Sequence, residues 1–183
     1  MKAVFSKYLQ AAKFNLKFEF LPHFLLTVLL CALCPVMFGL NDLSAAEAAV
    51  PLEMVISLSG VLLLTPLFLP EQDKTLAGIL YTKRTPPWCI HTLRACYSVF
   101  FVLLISGIFT GILHLLHSDV GIVHFTGTVS TALFLGGMGA VAFSVSNNIA
   151  ASYMAPAILY VFALAGGKNM GMLNPFMMSQ GDF

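Results

Sequence analysis

Four residues near the middle of the chain carry side chains that bind transition metals: His114, His117, Asp119 and His124. On a helix His114 and His117 share a face at i, i+3, and imidazoles with a carboxylate suit zinc or copper. The methionines Met170, Met172, Met177 and Met178 could add soft thioether ligands. Histidines and a turn aspartate at a membrane–water boundary are also common with no ion bound, and no metal is assigned to them. Cys31 and Cys34 form a C-x-x-C inside an apolar run. There they lack the basic neighbours or helix N-terminus that lower a thiol pKa, which favours plain apolar packing. Glu53 also sits inside an apolar run, and a carboxylate there is a functional candidate by default. The competing reading has it reaching outward to the headgroups. No hydrolytic triad or paired-carboxylate site is evident, so no catalytic residue and no enzyme activity are expected. The stretch AGGKN at 165–169 lacks both the spacing and the Ser/Thr of a phosphate-binding loop.

The elements that must position these residues follow from composition. Of 183 residues 58% are hydrophobic and 9% charged, and 16 are Phe; mean hydropathy is +0.89. A water-soluble core of this size cannot bury so much apolar surface, which makes lipid the solvent. Crossing the hydrocarbon takes about 20 apolar residues of helix. Five runs qualify, at about 20–40, 49–69, 98–117, 121–145 and 149–167. They do not alternate in polarity, and each span must satisfy its own backbone, so the fold class is an all-α membrane bundle, not a barrel. The small residues of LSAAEAA (43–49) resemble a signal-cleavage site. The long polar segment before the first run, and that run's full span length, make it a retained span.

Charge sets the expected orientation. Lys2, Lys7, Lys13 and Lys17 precede the first run; the 41–48 connection has only Asp42 and Glu47; the 70–97 connection has Lys74, Lys83, Arg84 and Arg94; and the 118–120 turn has Asp119. With basic segments retained in the cytoplasm, the N-terminus and 70–97 lie inside and the other two connections outside. Residues 1–19 are too polar to span and suit an amphipathic helix on the inner leaflet, or a basic flank without fixed structure. The plasma membrane, in a bacterium the inner one, is the expected location. No internal repeat is visible, and 1–183 reads as one membrane domain ending in a Met- and Gly-rich tail at 168–183.

The stretch Pro66–Arg94 holds six of the seventeen charged residues, nine of which are Lys or Arg and eight Asp or Glu. Pro70 suits a first helical turn, and Glu71 and Asp73 follow near the positive end of that helix. Leu76, Ile79 and Leu80 give it an apolar side, and the basic pair Lys83 and Arg84 follows. Thr85 suits an N-cap with Pro86 at the first helical position, opening a second helix that enters the third span. A folded helix–break–helix platform at the inner surface results. A solvated connection that only enforces topology is the alternative.

This layout resembles the permease subunits of ABC-2-type transporters. The likeness rests on a short basic N-terminal segment, two spans, the loop LFLPEQDKTLAGILYTKRTPPWCIHTLR and an Arg entering the third span. LNPF at 173–176 is similar to the segment preceding that family's last span. The resemblance implies that the loop contains a coupling helix docking on a separate cytoplasmic ATPase. Glu71, Asp73, Leu76, Ile79, Leu80, Lys83 and Arg84 would be the contact. It further implies a second permease subunit, ATP and Mg on the partner ATPase, no cofactor in this chain, and export of an amphipathic substrate, peptide or lipid-like. The family usually has six spans with the C-terminus inside, whereas five are found here and the tail is expected outside. Nothing points to a nucleic-acid partner. Two other functions stay open: a substrate-binding subunit of an uptake system, resembling the S-components, and a membrane accessory protein without transport activity.

Small residues mark expected packing seams. Ala132, Gly136, Ala140 and Ser144 follow each other at i+4 in the fourth run, and Gly107 and Gly111 form a G-x-x-x-G in the third. Such residues let helix backbones approach where no hydrophobic effect separates helix from lipid. A seam to a second copy, or a face lining the substrate route, is the alternative use.

Overall fold

The computed structural model describes residues 20–69, 87–166 and 174–180. The interfacial segment 1–19, most of the 70–97 loop and every coupling-contact residue from Glu71 to Arg84 lie outside the described residues. Among those described there are five long helices and no strand. They are α1 (Leu21–Phe38), α2 (Ala45–Phe68), α3 (Pro87–Leu115), α4 (Ile122–Ser146) and α5 (Ile149–Gly166). All five are long and apolar enough to cross a membrane.

The helices pack around α2. In its apolar window 67% of residues are buried, against 11% to 33% for the other four. Side chains such as Leu52, Ile56 and Leu63 make its core surface, facing Val102 and Leu113 of α3 and Ala132 of α4. The outward faces are apolar instead of polar: Val36, Phe100, Ile108, Val141, Val145, Val161 and Phe162 are all exposed. Water would penalise such a surface and lipid would not, so the bundle is compatible with a multi-pass membrane protein.

Two close crossings fix the bundle. A Cβ on Gly60 would overlap the Ala132 backbone carbonyl, so α2 and α4 touch main chain to main chain. One on Gly136 would stand 2.7 Å from the Gly60 oxygen. Further along, Gly139 lets α5 approach, and the Ser152 hydroxyl donates to the Gly139 carbonyl at 2.6 Å. α1 lies outermost and is held to α3 by rings: Phe20 meets Tyr97 edge-on, and Phe24 meets Phe101, each with centroids 5.1 Å apart.

The α1–α2 and α3–α4 connections meet at one end. Asp42 N–H donates to the Leu116 carbonyl at 3.2 Å and Asp119 N–H to the Leu43 carbonyl at 2.9 Å. Between them the Ser118 hydroxyl donates to the Leu40 carbonyl. At the opposite end the Arg94 guanidinium, buried at 4% exposure, donates to the Leu67 carbonyl at 2.9 Å. Leu67 lies near the end of α2, so this bond ties that end to α3.

Candidate functional site

The only described segment beyond the five helices and their connections is the turn at 174–180, which ends in a short 3₁₀ stretch, Met178–Gln180. It lies at the end where the α1–α2 and α3–α4 connections meet, and it touches three helices. From α2, Glu53 Oε1 accepts the Met178 N–H and Oε2 the Ser179 N–H, both at 2.8 Å. From α5, the Tyr160 ring meets Phe176 edge-on at 5.1 Å. From α4, Gly127 leaves room for the Met178 sulfur, which a Cβ there would overlap.

Local sequence explains how Glu53 comes to point there. Ser44 and Glu47 start α2 with a capping box, the Glu47 carboxylate accepting the Ser44 N–H at 3.0 Å. Pro51 then lies inside the helix, and proline removes one ladder hydrogen bond and crowds the carbonyl four residues back. Directly after it the helix widens to π geometry over Leu52–Ile56, with Ser57 N–H bonding back five residues to Leu52. A π segment turns its side chains away from the ordinary helical face and frees carbonyls. Here the Tyr160 hydroxyl donates to the Met54 carbonyl at 2.7 Å, and the Ser57 hydroxyl donates to the Glu53 carbonyl. Glu53 itself is 1% exposed. A carboxylate so placed requires partners, and the turn supplies one to each oxygen.

The turn also holds its own shape. Asn174 Oδ1 accepts the Phe176 N–H at 3.0 Å, and the Ser179 hydroxyl donates to the Phe176 carbonyl at 3.1 Å. Close by, His124 Nδ1 accepts the Gly121 N–H at 3.3 Å, and its Nε2 lies 2.9 Å from the Ala45 carbonyl. That pairing makes Nε2 the protonated nitrogen, so this imidazole ties the start of α4 to the start of α2.

The other expected residues are distributed as follows. His114, His117 and Asp119 are exposed while His124 is buried, and no three His, Cys, Asp or Glu among the described residues come together as a metal site. Cys34 is buried and Cys31 half-buried, both as thiols. Of the small-residue row, Ala132 and Gly136 lie in the α2–α4 crossing, Ala140 is half-buried and Ser144 is exposed; Gly139 and Phe143 continue the buried face. Gly107 and Gly111 are exposed; a Cβ at Gly107 would meet the Phe125 ring of α4 at 3.6 Å, and one at Gly111 would have nothing within 4 Å. Nothing in the sequence marks Gly60, Gly127 or Tyr160 as partners of a site, and Met177 and Met178 of the turn stand out there only as possible thioether ligands, not as backbone donors to Glu53.

No family model matches the chain, and no curated protein or solved structure matches it.

Proposed function

We propose that the chain is a membrane-spanning permease subunit of the ABC-2 type, driven by a separate cytoplasmic ATPase. On this reading it forms half of a route for an amphipathic substrate, a peptide or a lipid-like molecule. The supporting observation is the Arg94–Leu67 bond at the root of the charged loop. A load applied to 70–86 reaches the bundle through the end of α2 and the start of α3. A buried guanidinium holding the last turn of α2 makes those two ends move as one body. Because α2 is also the most buried helix, displacing its end disturbs every other span. This is the mechanical requirement of a lever, and it needs no chemistry in the loop beyond a docked face.

The test is co-purification. The tagged chain, extracted from its native membrane in mild detergent, is expected to bring down an ATPase carrying a phosphate-binding loop. Charge reversal at Glu71 (Glu71→Lys) is expected to release that ATPase while leaving the thermal midpoint of the chain unchanged. Recovery of the intact chain without any ATPase, from membranes and from cross-linked cells alike, overturns the reading.

A further inference from the structure

We propose that the inner face of α3 holds a file of water molecules, running from Arg94 toward the end of the bundle where His114 is exposed. Its ligands are the hydroxyls of Ser98, Ser106 and Thr110, joined by Ser59 of α2. The inference goes beyond the permease reading and holds whether or not an ATPase drives the chain.

Spacing is the first observation. Arg94, Ser98, Val102, Ser106 and Thr110 stand four apart on α3, along one ridge of the helix. The first four are buried, Thr110 is half-buried, and His114, one step further, is exposed. From Arg94 to Thr110 the row rises about 24 Å, most of the roughly 30 Å of hydrocarbon. Its apolar gap at Val102 is met from α2. The two helices run antiparallel and are tied at one end by Arg94 and Leu67. Ser59 and Val102 each lie eight residues from that bond, at the same depth of about 12 Å.

The second observation is that these hydroxyls have no partner in the protein. The Oγ atoms of Ser59, Ser98 and Ser106 and Oγ1 of Thr110 are buried and make no hydrogen bond. The three serines are at most 1% exposed. Elsewhere the chain satisfies buried helical hydroxyls from the carbonyl four residues back: Thr27 donates to His23, Ser57 to Glu53 and Thr128 to His124. The α3 row does not take that bond. Long side chains stand one turn to either side, Ile56 and Leu63 about Ser59, Val102 and Phe109 about Ser106. They hold the helices farther apart than a hydroxymethyl group reaches. A buried hydroxyl without a protein partner is satisfied by water, which makes two to four bonds of its own. One ridge step is about 6 Å, which a single water spans with two hydrogen bonds of about 2.8 Å, so the hydroxyls are spaced for a continuous file. Thr65 and Tyr153 also lack partners, but Thr65 lies against Gly139 of α4 and Tyr153 is on α5, both outside the row.

Radiolytic footprinting tests the file, because hydroxyl radicals generated from water inside a membrane protein oxidise the side chains that touch that water. The full chain in lipid nanodiscs is irradiated, and oxidised side chains are located by mass spectrometry. Phe109 and Leu63, beside the file, are expected to oxidise faster than Phe143 and Leu135, which are buried to the same degree on α4. This comparison is made on the native chain and needs no variant. Ser98→Ala and Ser106→Ala combined remove two of the ligands without adding bulk. They are expected to bring Phe109 and Leu63 down to the rates of their controls. Phe109 and Leu63 no faster than those controls in the native chain overturns the proposal. Oxidation that is unchanged in the alanine variant overturns it as well, since the water is then not held by the hydroxyls. Excess oxidation at Phe109 with Leu63 at the control rate shows one isolated water site and overturns the file.

Discussion

Glu53 and Ser179 stand 126 positions apart in sequence, and the carboxylate of the first accepts the backbone N–H of the second at 2.8 Å. With the Met178 bond beside it, this closes the 174–180 turn onto the most buried of the described helices. Removing the carboxylate deprives two buried N–H groups of acceptors; removing a donor leaves part of a buried carboxylate unpaired. Hydrogen bonds to charged groups contribute about 1.5–3 kcal/mol each, so Glu53→Ala and Ser179→Pro should each destabilise the chain by about 2 kcal/mol. The double variant should cost clearly less than the two together, since both break the same bond. Chemical denaturation in detergent measures all three, and strict additivity would show that the pair is not coupled.

The α2–α4 crossing makes a sharper steric prediction. A Cβ at Gly60 meets the Ala132 backbone, which cannot rotate away as a side chain would. Overpacking a core typically costs about 1–3 kcal/mol, and a clash with main chain belongs at the upper end, so Gly60→Ala should lose about 3 kcal/mol. Gly137, one residue beyond the seam residue Gly136, has nothing within 4 Å of its added Cβ. Gly137→Ala should be neutral or stabilise by about 0.5–1 kcal/mol through helix propensity. Thermal midpoints from fluorescence-detected gel filtration should therefore move in opposite directions, or the second not at all. Equal losses would place the helices farther apart than the crossing requires.

How much of this was legible in the sequence depends on what carried each signal. The five helices were readable because length and apolarity are both written in the residues. The start of α2 at Ala45 was also written there, as Ser44-x-x-Glu47, although a count of apolar residues places the run's start at 49. The row Ala132, Gly136, Ala140, Ser144 keeps a fixed spacing of four. Each such step turns about 40° past a full circle, so the row has wound about 120° around the helix by Ser144. The buried face alternates steps of four and three instead, reaching Gly139 and Phe143. Glu53 was visible as a carboxylate in an apolar run, but its partners were not. They are backbone N–H groups, which every residue except proline carries, and no residue type marks Met178 and Ser179 as donors. Gly60 carries no mark in the sequence for a related reason: a lone glycine shows its use only when the opposing main chain is known.

Arg94 provides a prediction at the other end of the bundle. Its guanidinium is buried and bonded to the Leu67 carbonyl at the last turn of α2. Arg94→Met keeps the apolar stem but leaves that carbonyl without this donor, at an expected cost of about 2 kcal/mol, the usual worth of a hydrogen bond from a charged group. Arg94→Lys keeps charge without the planar fork and should recover only part of it. If ATPase coupling runs through these two helix ends, the same variants should retain the ATPase on purification while losing transport. Release of the ATPase by Arg94→Met would instead make Arg94 part of the docking face.

The pairing of the two connections yields the most direct check of the whole arrangement. Asp42 and Asp119 are exposed, and their backbone N–H groups cross-bond the 40–44 and 116–121 segments. Whatever the orientation in the membrane, the two must therefore lie on one side of it. The basic residues of the N-terminus and of 70–97 lead us to propose that this side is the outer one. In a background with the four native cysteines replaced, Asp42→Cys and Asp119→Cys should both react with a membrane-impermeant maleimide on intact cells. Lys83→Cys should react only after permeabilisation. A cysteine at Met177, exposed on the 174–180 turn, should behave like the two aspartate positions, because that turn packs at the same end. Labelling of Asp42→Cys and Asp119→Cys from opposite sides would refute the fold itself. Joint labelling from the inside would keep the fold and invert its orientation, removing the loop from the cytoplasm and with it any docking to an ATPase there.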